Sequence, residues 1–160
     1  MISVLIVDDS RVVRHMLEKI LGTERGICVS GTARDGKKAL EALERGLPDL
    51  VTLDIEMPVM DGLETLEKIR RRWPGLPVIM FSTLTDHGAE VTMEALALGA
   101  VDYVAKPANV GGVAEAQDRV CEVMIPKILA LVARHRSRPK TIFPRPVTAA
   151  ADVGPPTPHR

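Results

Sequence analysis

Five short apolar runs divide the chain at regular intervals. They cover residues 2–7, 27–31, 49–54, 77–82 and 101–105. Continuous aliphatic runs of about four to eight residues, without polar alternation, are typical of strands buried on both faces of a parallel sheet. The run at 27–31 is the weakest of the five, so we expect it at an edge of the sheet. The pattern therefore predicts five strands.

Segments with apolar residues three or four positions apart lie between these runs and after the last one. Such spacing predicts amphipathic helices. Ser10 and Asp35 stand where polar side chains cap helix N termini, and the third helix should begin near Gly62 and stop before Pro74. A glycine such as Gly99 is a typical helix terminator. Five helices thus alternate with five strands.

Strict alternation of strands and helices predicts an α/β protein with a doubly wound parallel sheet, right-handed crossovers and helices on both faces. Among such folds, the flavodoxin-like strand order 2-1-3-4-5 puts strands 1 and 3 side by side at the switch point. We favour this order because it brings Asp8, Asp9 and Asp54 together.

The last predicted helix starts after Gly112, and Pro126 lies within its apolar pattern. A proline at this position should end or kink the helix. The apolar period nevertheless continues as far as Val132. We therefore expect a domain of residues 1–125, with residue 135 as the alternative end of its last helix. Six of the 12 prolines lie at 139–158, so residues 136–160 are predicted to be a flexible, basic linker or tail.

Composition excludes several functional classes. Aromatic residues make up only 2% of the chain, which argues against stacking platforms for single-stranded nucleic acid. Residues 1–133 carry 15 basic and 20 acidic side chains, so the folded part does not have the charge of a nucleic-acid surface. Cys28 and Cys121 lack metal-ligand spacing, and we find no signal sequence and no long apolar span. We expect a cytoplasmic protein with reduced thiols and no membrane contact.

Polar side chains follow four of the apolar runs. Asp8 and Asp9 follow the first, Asp54 ends the third, Ser82 ends the fourth and Lys106 follows the fifth. Each of them alone has an ordinary explanation as a turn former, a helix cap or a solvated loop residue. Their joint placement favours a site, because the carboxyl ends of parallel strands lie along one edge of the sheet.

Three carboxylates in one pocket repel each other and need a cation or a shared proton. Oxygen ligands suit Mg²⁺, which bridges to phosphate oxygens, and an aspartate carboxylate can attack phosphorus as a nucleophile. Mg²⁺ and Lys106 would balance the negative charge of a phosphoryl group, and the hydroxyl of Ser82 could donate a hydrogen bond to it.

Four segments together resemble the receiver domain of two-component response regulators. They are LIVDDS, TLDIEMPVMDG, the strand that ends at Ser82, and GAVDYVAKP, and the resemblance covers residues 1 to 125. It implies that Asp54 is the phosphoacceptor, and that Asp8, Asp9 and the backbone carbonyl of Glu56 help to hold Mg²⁺. The phosphoryl donor would be a sensor histidine kinase.

The same resemblance assigns the remaining site residues. Ser82 takes the place of the switch hydroxyl, Tyr103 that of the rotating aromatic residue, and Lys106 that of the lysine that pairs with the phosphate. The Lys106–Pro107 peptide bond is expected to be cis. Phosphorylation would change a partner surface within residues 86–125.

Within receivers, the segments TLDIEMPVMDGLETLEKI and STLTDHGAEVTMEALALGAVDYVAKP are similar to the regulatory domain of the chemotaxis protein-glutamate methylesterases. The chain contains no G-x-S-x-G element, so we expect no esterase domain in these 160 residues. Its own chemistry would be self-phosphorylation and self-dephosphorylation, and a chemotaxis kinase would be the phosphodonor. Two alternatives are a stand-alone receiver that serves as adaptor or phosphate sink, and, with less support, a Mg²⁺-dependent phosphohydrolase.

Overall fold

The computed structural model describes residues 1–83, 88–108 and 111–138. Within these ranges five parallel strands form one sheet in the order β2-β1-β3-β4-β5, which confirms the predicted order and the edge position of the second strand. The strands are β1 Ile2–Val7, β2 Ile27–Ala33, β3 Leu50–Leu53, β4 Val78–Ser82 and β5 Asp102–Ala105. All five predicted strands are present, with ends that differ from the prediction by two residues at most.

Five helices alternate with the strands in the described part of the chain, also as predicted. They are α1 Arg11–Thr23, α2 Gly36–Arg45, α3 Gly62–Arg72, α4 Gly88–Ala97 and α5 Val113–Arg136. None of them has the length and apolar character of a membrane span.

The sheet is buried on both faces, which explains why the strands read as continuous apolar runs. In β1, Val4 and Ile6 pack with α1 and α5, whereas Leu5 and Val7 pack with α2, α3 and α4. Alternate side chains of a strand point to opposite faces, so each face requires apolar residues of its own.

Short polar side chains set the starts of three helices. The Ser10 hydroxyl accepts a hydrogen bond from Val13 N at 3.3 Å, and Asp35 accepts one from Lys38 N at 2.8 Å. Asp61 does the same at the start of α3. These bonds satisfy backbone N–H groups that lack a partner within the first helical turn, and they confirm the predicted caps at Ser10 and Asp35.

Helix α5 continues through Pro126 and ends at Arg136, so of the two predicted ends the later one, near residue 135, is observed. Beyond the proline, Ile128 and Val132 are almost fully buried against the sheet and α1. Burial of two such side chains contributes about 3 kcal/mol or more, which is comparable with the penalty of about 3 kcal/mol for a proline inside a helix. The predicted linker from residue 139 onward lies outside the described residues.

The far end of α5 is tied to the amino edge of the sheet by Asp49. Its Oδ2 accepts hydrogen bonds from Ser3 N at 2.8 Å and the Ser3 hydroxyl at 3.2 Å, and Arg136 Nη2 lies 3.2 Å away. Burial alone would raise the pKa of Asp49, but the hydrogen bonds from Ser3 and the charge of Arg136 outweigh it and lower this pKa.

We predict that Asp49→Asn lowers the free energy of unfolding by about 1 to 2 kcal/mol at pH 7, because it removes charge-assisted hydrogen bonds. Because the folded-state pKa is lowered, the stabilisation exists above the unfolded-state pKa of about 3.9 and is lost as the pH falls through the folded-state value. Urea unfolding at several pH values measures both effects. Asp118→Asn, on the exposed side of α5, is the control; an equal loss of stability there would contradict the prediction.

Candidate functional site

The backbone of the sheet brings the polar residues at the strand ends to one edge. Asp54 N donates to Val7 O at 2.9 Å, Asp8 N donates to Ala33 O at 3.0 Å, and Lys106 N donates to Ser82 O at 2.9 Å. These bonds extend the ladders of three neighbouring strand pairs by one residue. Asp8, Asp54 and Lys106 therefore leave the sheet at the same level.

One ammonium group lies between two buried carboxylates. Lys106 Nζ is 2.7 Å from Asp8 Oδ2 and 3.1 Å from Asp54 Oδ2. Asp8 and Asp54 are only 1% and 3% exposed. Buried charges persist only when they are paired and hydrogen-bonded, so these three side chains constrain one another.

Local hydrogen bonds orient the two carboxylates. Asp8 Oδ1 accepts from Ser10 N at 2.9 Å, and Asp54 Oδ1 accepts from Ile55 N at 2.8 Å. The second oxygen of each carboxylate is thereby directed to Lys106. Asp8 Oδ2 is fully buried and lies 2.7 Å from Lys106 Nζ, so its charge is paired with that of the lysine.

The site carries an excess of negative charge. Asp9 is exposed, yet one of its carboxylate oxygens lies within 4.8 Å of ligand atoms of Asp8 and Asp54. Burial raises the pKa of Asp8, and the charge of Asp54 adds to this, although Lys106 opposes it. Burial would lower the pKa of Lys106, but the two carboxylates outweigh burial and raise it. One lysine thus does not neutralise three acids.

This donor set fits a hard divalent cation. Carboxylate oxygens are the ligands that Mg²⁺ prefers, and Mg²⁺ keeps several coordination positions for water or phosphate. Glu56 shares with Asp9 the wall of a cavity of about 420 Å³ at the rim of the site, together with Asp61. Ligation by the backbone carbonyl of Glu56 stays a prediction.

Ser82 and Tyr103 lie next to this cluster on neighbouring strands. Ser82 is buried as the last residue of β4, and its carbonyl accepts a hydrogen bond from the Tyr103 hydroxyl at 3.1 Å. Burial raises the pKa of that hydroxyl. The Tyr103 hydroxyl and the Lys106 N–H therefore both donate to the carbonyl of Ser82.

The resemblance misassigned one feature of this edge. The described residues contain no cis peptide bond, so the Lys106–Pro107 bond is trans and the cis prediction was wrong. The trans isomer is favoured by about 0.5 to 1 kcal/mol for a bond that precedes proline. The short connection after β5 accommodates it while Lys106 keeps both ion pairs.

Sequence reasoning missed two residues that hold the acidic loop in place. Arg14 Nη1 donates to the carbonyls of Asp8 at 2.8 Å and Asp9 at 3.1 Å. A Cβ on Gly62 would lie 2.0 Å from Asp54 O, so only glycine allows α3 to start against the backbone of Asp54. Arg14 has no local sequence signal, whereas a glycine directly after a capping aspartate could have indicated the close approach.

Comparison with known proteins points to one family. The family described as "Response regulator receiver domain" matches residues 4–117. A protein-glutamate methylesterase/protein-glutamine glutaminase of Nocardioides sp. is 48% identical over 149 residues, which are 93% of this chain and 40% of that protein. The counterpart in Bacillus licheniformis is 49% identical over 129 residues, 81% of this chain and 35% of that protein. The chain thus spans less than half the length of these relatives.

Solved structures give the same result. The response regulator domain of Thermotoga maritima CheB superposes with a TM-score of 0.73 and 40% identity, and the match covers 83% of this chain and 97% of that domain. The CheX-CheY-BeF3-Mg+2 complex from Borrelia burgdorferi contains a chain that matches with a TM-score of 0.66 and 31% identity, over 79% of this chain and 88% of that one.

We predict that Gly62→Ala lowers the free energy of unfolding by about 2 to 3 kcal/mol, because the new methyl group meets backbone atoms that cannot rotate away. Chemical denaturation measures the loss. Gly22→Ala is the matched control, since Gly22 lies within α1 and a Cβ there has no neighbour within 4 Å. That variant should be unchanged or more stable by about 0.5 to 1 kcal/mol. Similar losses in both variants would contradict the close approach at Asp54.

Proposed function

This chain belongs to the response-regulator receiver family, and on that premise we propose that Asp54 accepts a phosphoryl group from a phosphohistidine of a sensor kinase. The observation that carries the proposal is the pairing of Lys106 with the buried carboxylates of Asp54 and Asp8 beside the exposed Asp9. An aspartate carboxylate that is paired with a lysine at the carboxyl edge of a sheet is positioned to act as a nucleophile.

In the proposed reaction, a carboxylate oxygen of Asp54 forms a bond to phosphorus while the bond from phosphorus to the donor's imidazole nitrogen breaks. The leaving imidazole takes the electron pair, and Asp54 becomes an acyl phosphate. Such a transfer requires little covalent chemistry from the protein beyond positioning and charge stabilisation. Lys106 supplies a fixed positive charge 3.1 Å from Asp54 Oδ2, where the phosphoryl oxygens would add negative charge.

Asp8, Asp9, Asp54 and the carbonyl of Glu56 would hold Mg²⁺ in this proposal. When bound, the ion neutralises charge on the phosphoryl oxygens and on the acidic pocket. The carboxylate oxygens of Asp8, Asp9 and Asp54, which lie within 4.8 Å of one another, support this assignment. The Borrelia complex contains BeF3 and Mg²⁺, which supports it by analogy.

Ser82 and Tyr103 would transmit the new charge to the surface. The phosphoryl group adds about −1.5 to −2 charges, and a hydrogen bond from the Ser82 hydroxyl to it would favour a different arrangement of the β4 end. Tyr103 bonds to the carbonyl of Ser82, so a shift of this residue alters the environment of the aromatic side chain. We infer a shift between existing conformations rather than a new one.

The receiving surface would lie within residues 86–125. Of its described residues, Met93 and Leu96 on α4 are 67% and 40% exposed, and Val123 on α5 is 45% exposed. Large exposed apolar side chains in this range are consistent with a partner surface. We propose an output domain of methylesterase type as the partner and a chemotaxis kinase as the phosphodonor, in a cytoplasmic pathway, because the similar curated proteins are methylesterases.

We predict that incubation with Mg²⁺ and acetyl phosphate adds one phosphoryl group to the wild-type chain, because a small acyl phosphate can replace the kinase as donor. Intact-mass spectrometry after acid quenching measures the adduct. Asp54→Asn should give none, whereas Asp118→Asn, remote from the acidic edge, should react as the wild type does. An adduct of equal yield on Asp54→Asn would exclude Asp54 as the acceptor.

We also predict that Asp9→Asn weakens Mg²⁺ binding by roughly tenfold or more while the fold is retained, since Asp9 is exposed and loss of a ligand lowers metal affinity at least as much as loss of a supporting group. The rise in melting temperature with Mg²⁺ concentration measures the affinity, and a chelator should reverse it. Asp118→Asn is again the control. Unchanged affinity in Asp9→Asn would remove Asp9 from the proposed ligand set.

A further inference from the structure

A basic cavity lies at the opposite edge of the sheet from the acidic site. It has a volume of about 370 Å³ and is lined by the segment that follows α3, by Gly99 and Val101 before β5, and by the last turns of α5. Arg70, Arg134 and Arg138 line it together with His135. No aspartate or glutamate is among the described lining residues, so the charged side chains that line the cavity are all basic.

Arg70 is held rigidly at the wall of this cavity. Its Nη1 donates to Pro74 O at 2.9 Å, and its Nη2 donates to Leu76 O. A Cβ on Gly99 would lie 2.8 Å from Arg70 Cδ, so the side chain lies directly across this glycine. Arg70 Nε is buried and has no hydrogen-bond partner among the described residues. The guanidinium is thus fixed in place by two of its five N–H donors.

Nearby acids do not supply the missing counter-charge. Asp49, at the same edge, already accepts from Ser3 and pairs with Arg136, which does not line the cavity. The segment 139–160 that follows α5 carries three basic side chains and one acidic side chain. Its sequence therefore adds positive charge overall.

The helix dipole explains only part of this cluster. Basic residues in the last turn of a helix interact favourably with its carbonyl end, which accounts for Arg134 and His135 on α5. Arg70 comes from α3, and its guanidinium already donates hydrogen bonds to carbonyls of the loop that follows. Arg70 lies in the last turn of α3, so the helix dipole favours its charge as well, but the dipole does not account for the hydrogen bonds that hold this guanidinium at the cavity wall.

We propose that this cavity binds a small anion with several negative charges, carried on phosphate or carboxylate groups. Planar guanidinium groups match the paired oxygens of both, and the volume lies within the range of about 300 to 1,000 Å³ of small-molecule sites. The proposal does not depend on the phosphoryl chemistry at Asp54, because the two sites lie at opposite edges of the sheet.

The test is a titration of the full 160-residue chain with pyrophosphate, and separately with citrate, at constant ionic strength and without Mg²⁺. Backbone amide shifts in ¹⁵N-correlated spectra report the binding site. We expect saturable shifts at Gly75 and Gly99, which line the cavity. A stronger response to pyrophosphate would identify a phosphate ligand, and a stronger response to citrate a carboxylate ligand. Shifts that stay linear in both titrations, or that map elsewhere, would overturn the proposal.

A pair of double variants separates the cavity from general charge effects. Arg134→Gln with Arg138→Gln should weaken binding at least tenfold. Arg25→Gln with Arg45→Gln removes the same charge from exposed arginines outside the cavity and should bind as the wild type does. Equal weakening in both pairs would show unspecific attraction and overturn the site. A melting temperature measured without anion checks that each pair is folded.

Discussion

The pairing of one lysine with two buried carboxylates is the interaction on which the candidate site depends. Lys106 lies within 3.1 Å of both Asp54 and Asp8, and buried carboxylates require such a partner. In the proposed reaction this pairing would position Asp54 as the nucleophile. Because Asp9 adds a third carboxylate nearby, the pocket still requires positive charge. A divalent cation would supply it.

The sheet makes this pairing possible because each residue of the site continues a backbone ladder. β1 and β3 are neighbours, and Val7 pairs with Leu53 in their register, so the residues that follow each strand emerge side by side. The continuous burial of both sheet faces holds this register, because a slip of one residue would exchange the side chains that face α1 and α5 with those that face α2, α3 and α4. Core packing therefore positions the charges.

The two edges of the sheet carry opposite charge. Acids and one lysine occupy the carboxyl edge, whereas Arg70, Arg134 and Arg138 line one cavity near the amino edge. Helix α5 contributes Arg134 because it continues past Pro126, and Arg138 follows shortly after the helix ends at Arg136. The ion pair of Arg136 with Asp49 fixes this end of α5. The length of this helix thus decides both the size of the core and the presence of the basic cavity.

The order of apolar runs and helical spacings determined the fold class and two of the helix caps, because these features depend on periodicity and on local hydrogen bonds. The strand order was predicted from the convergence of Asp8, Asp9 and Asp54 that it produces. The strand ends also indicated which acids would meet, since carboxyl ends of parallel strands share an edge. The path of α5 through Pro126 depended on burial of Ile128 and Val132 against the sheet and α1. The trans Lys106–Pro107 bond and the hydrogen bonds from Arg14 to the carbonyls of Asp8 and Asp9 are local in the chain, but no residue pattern marks them. Only the tertiary structure brought Arg70 to the same cavity as the end of α5, because they come from distant parts of the chain.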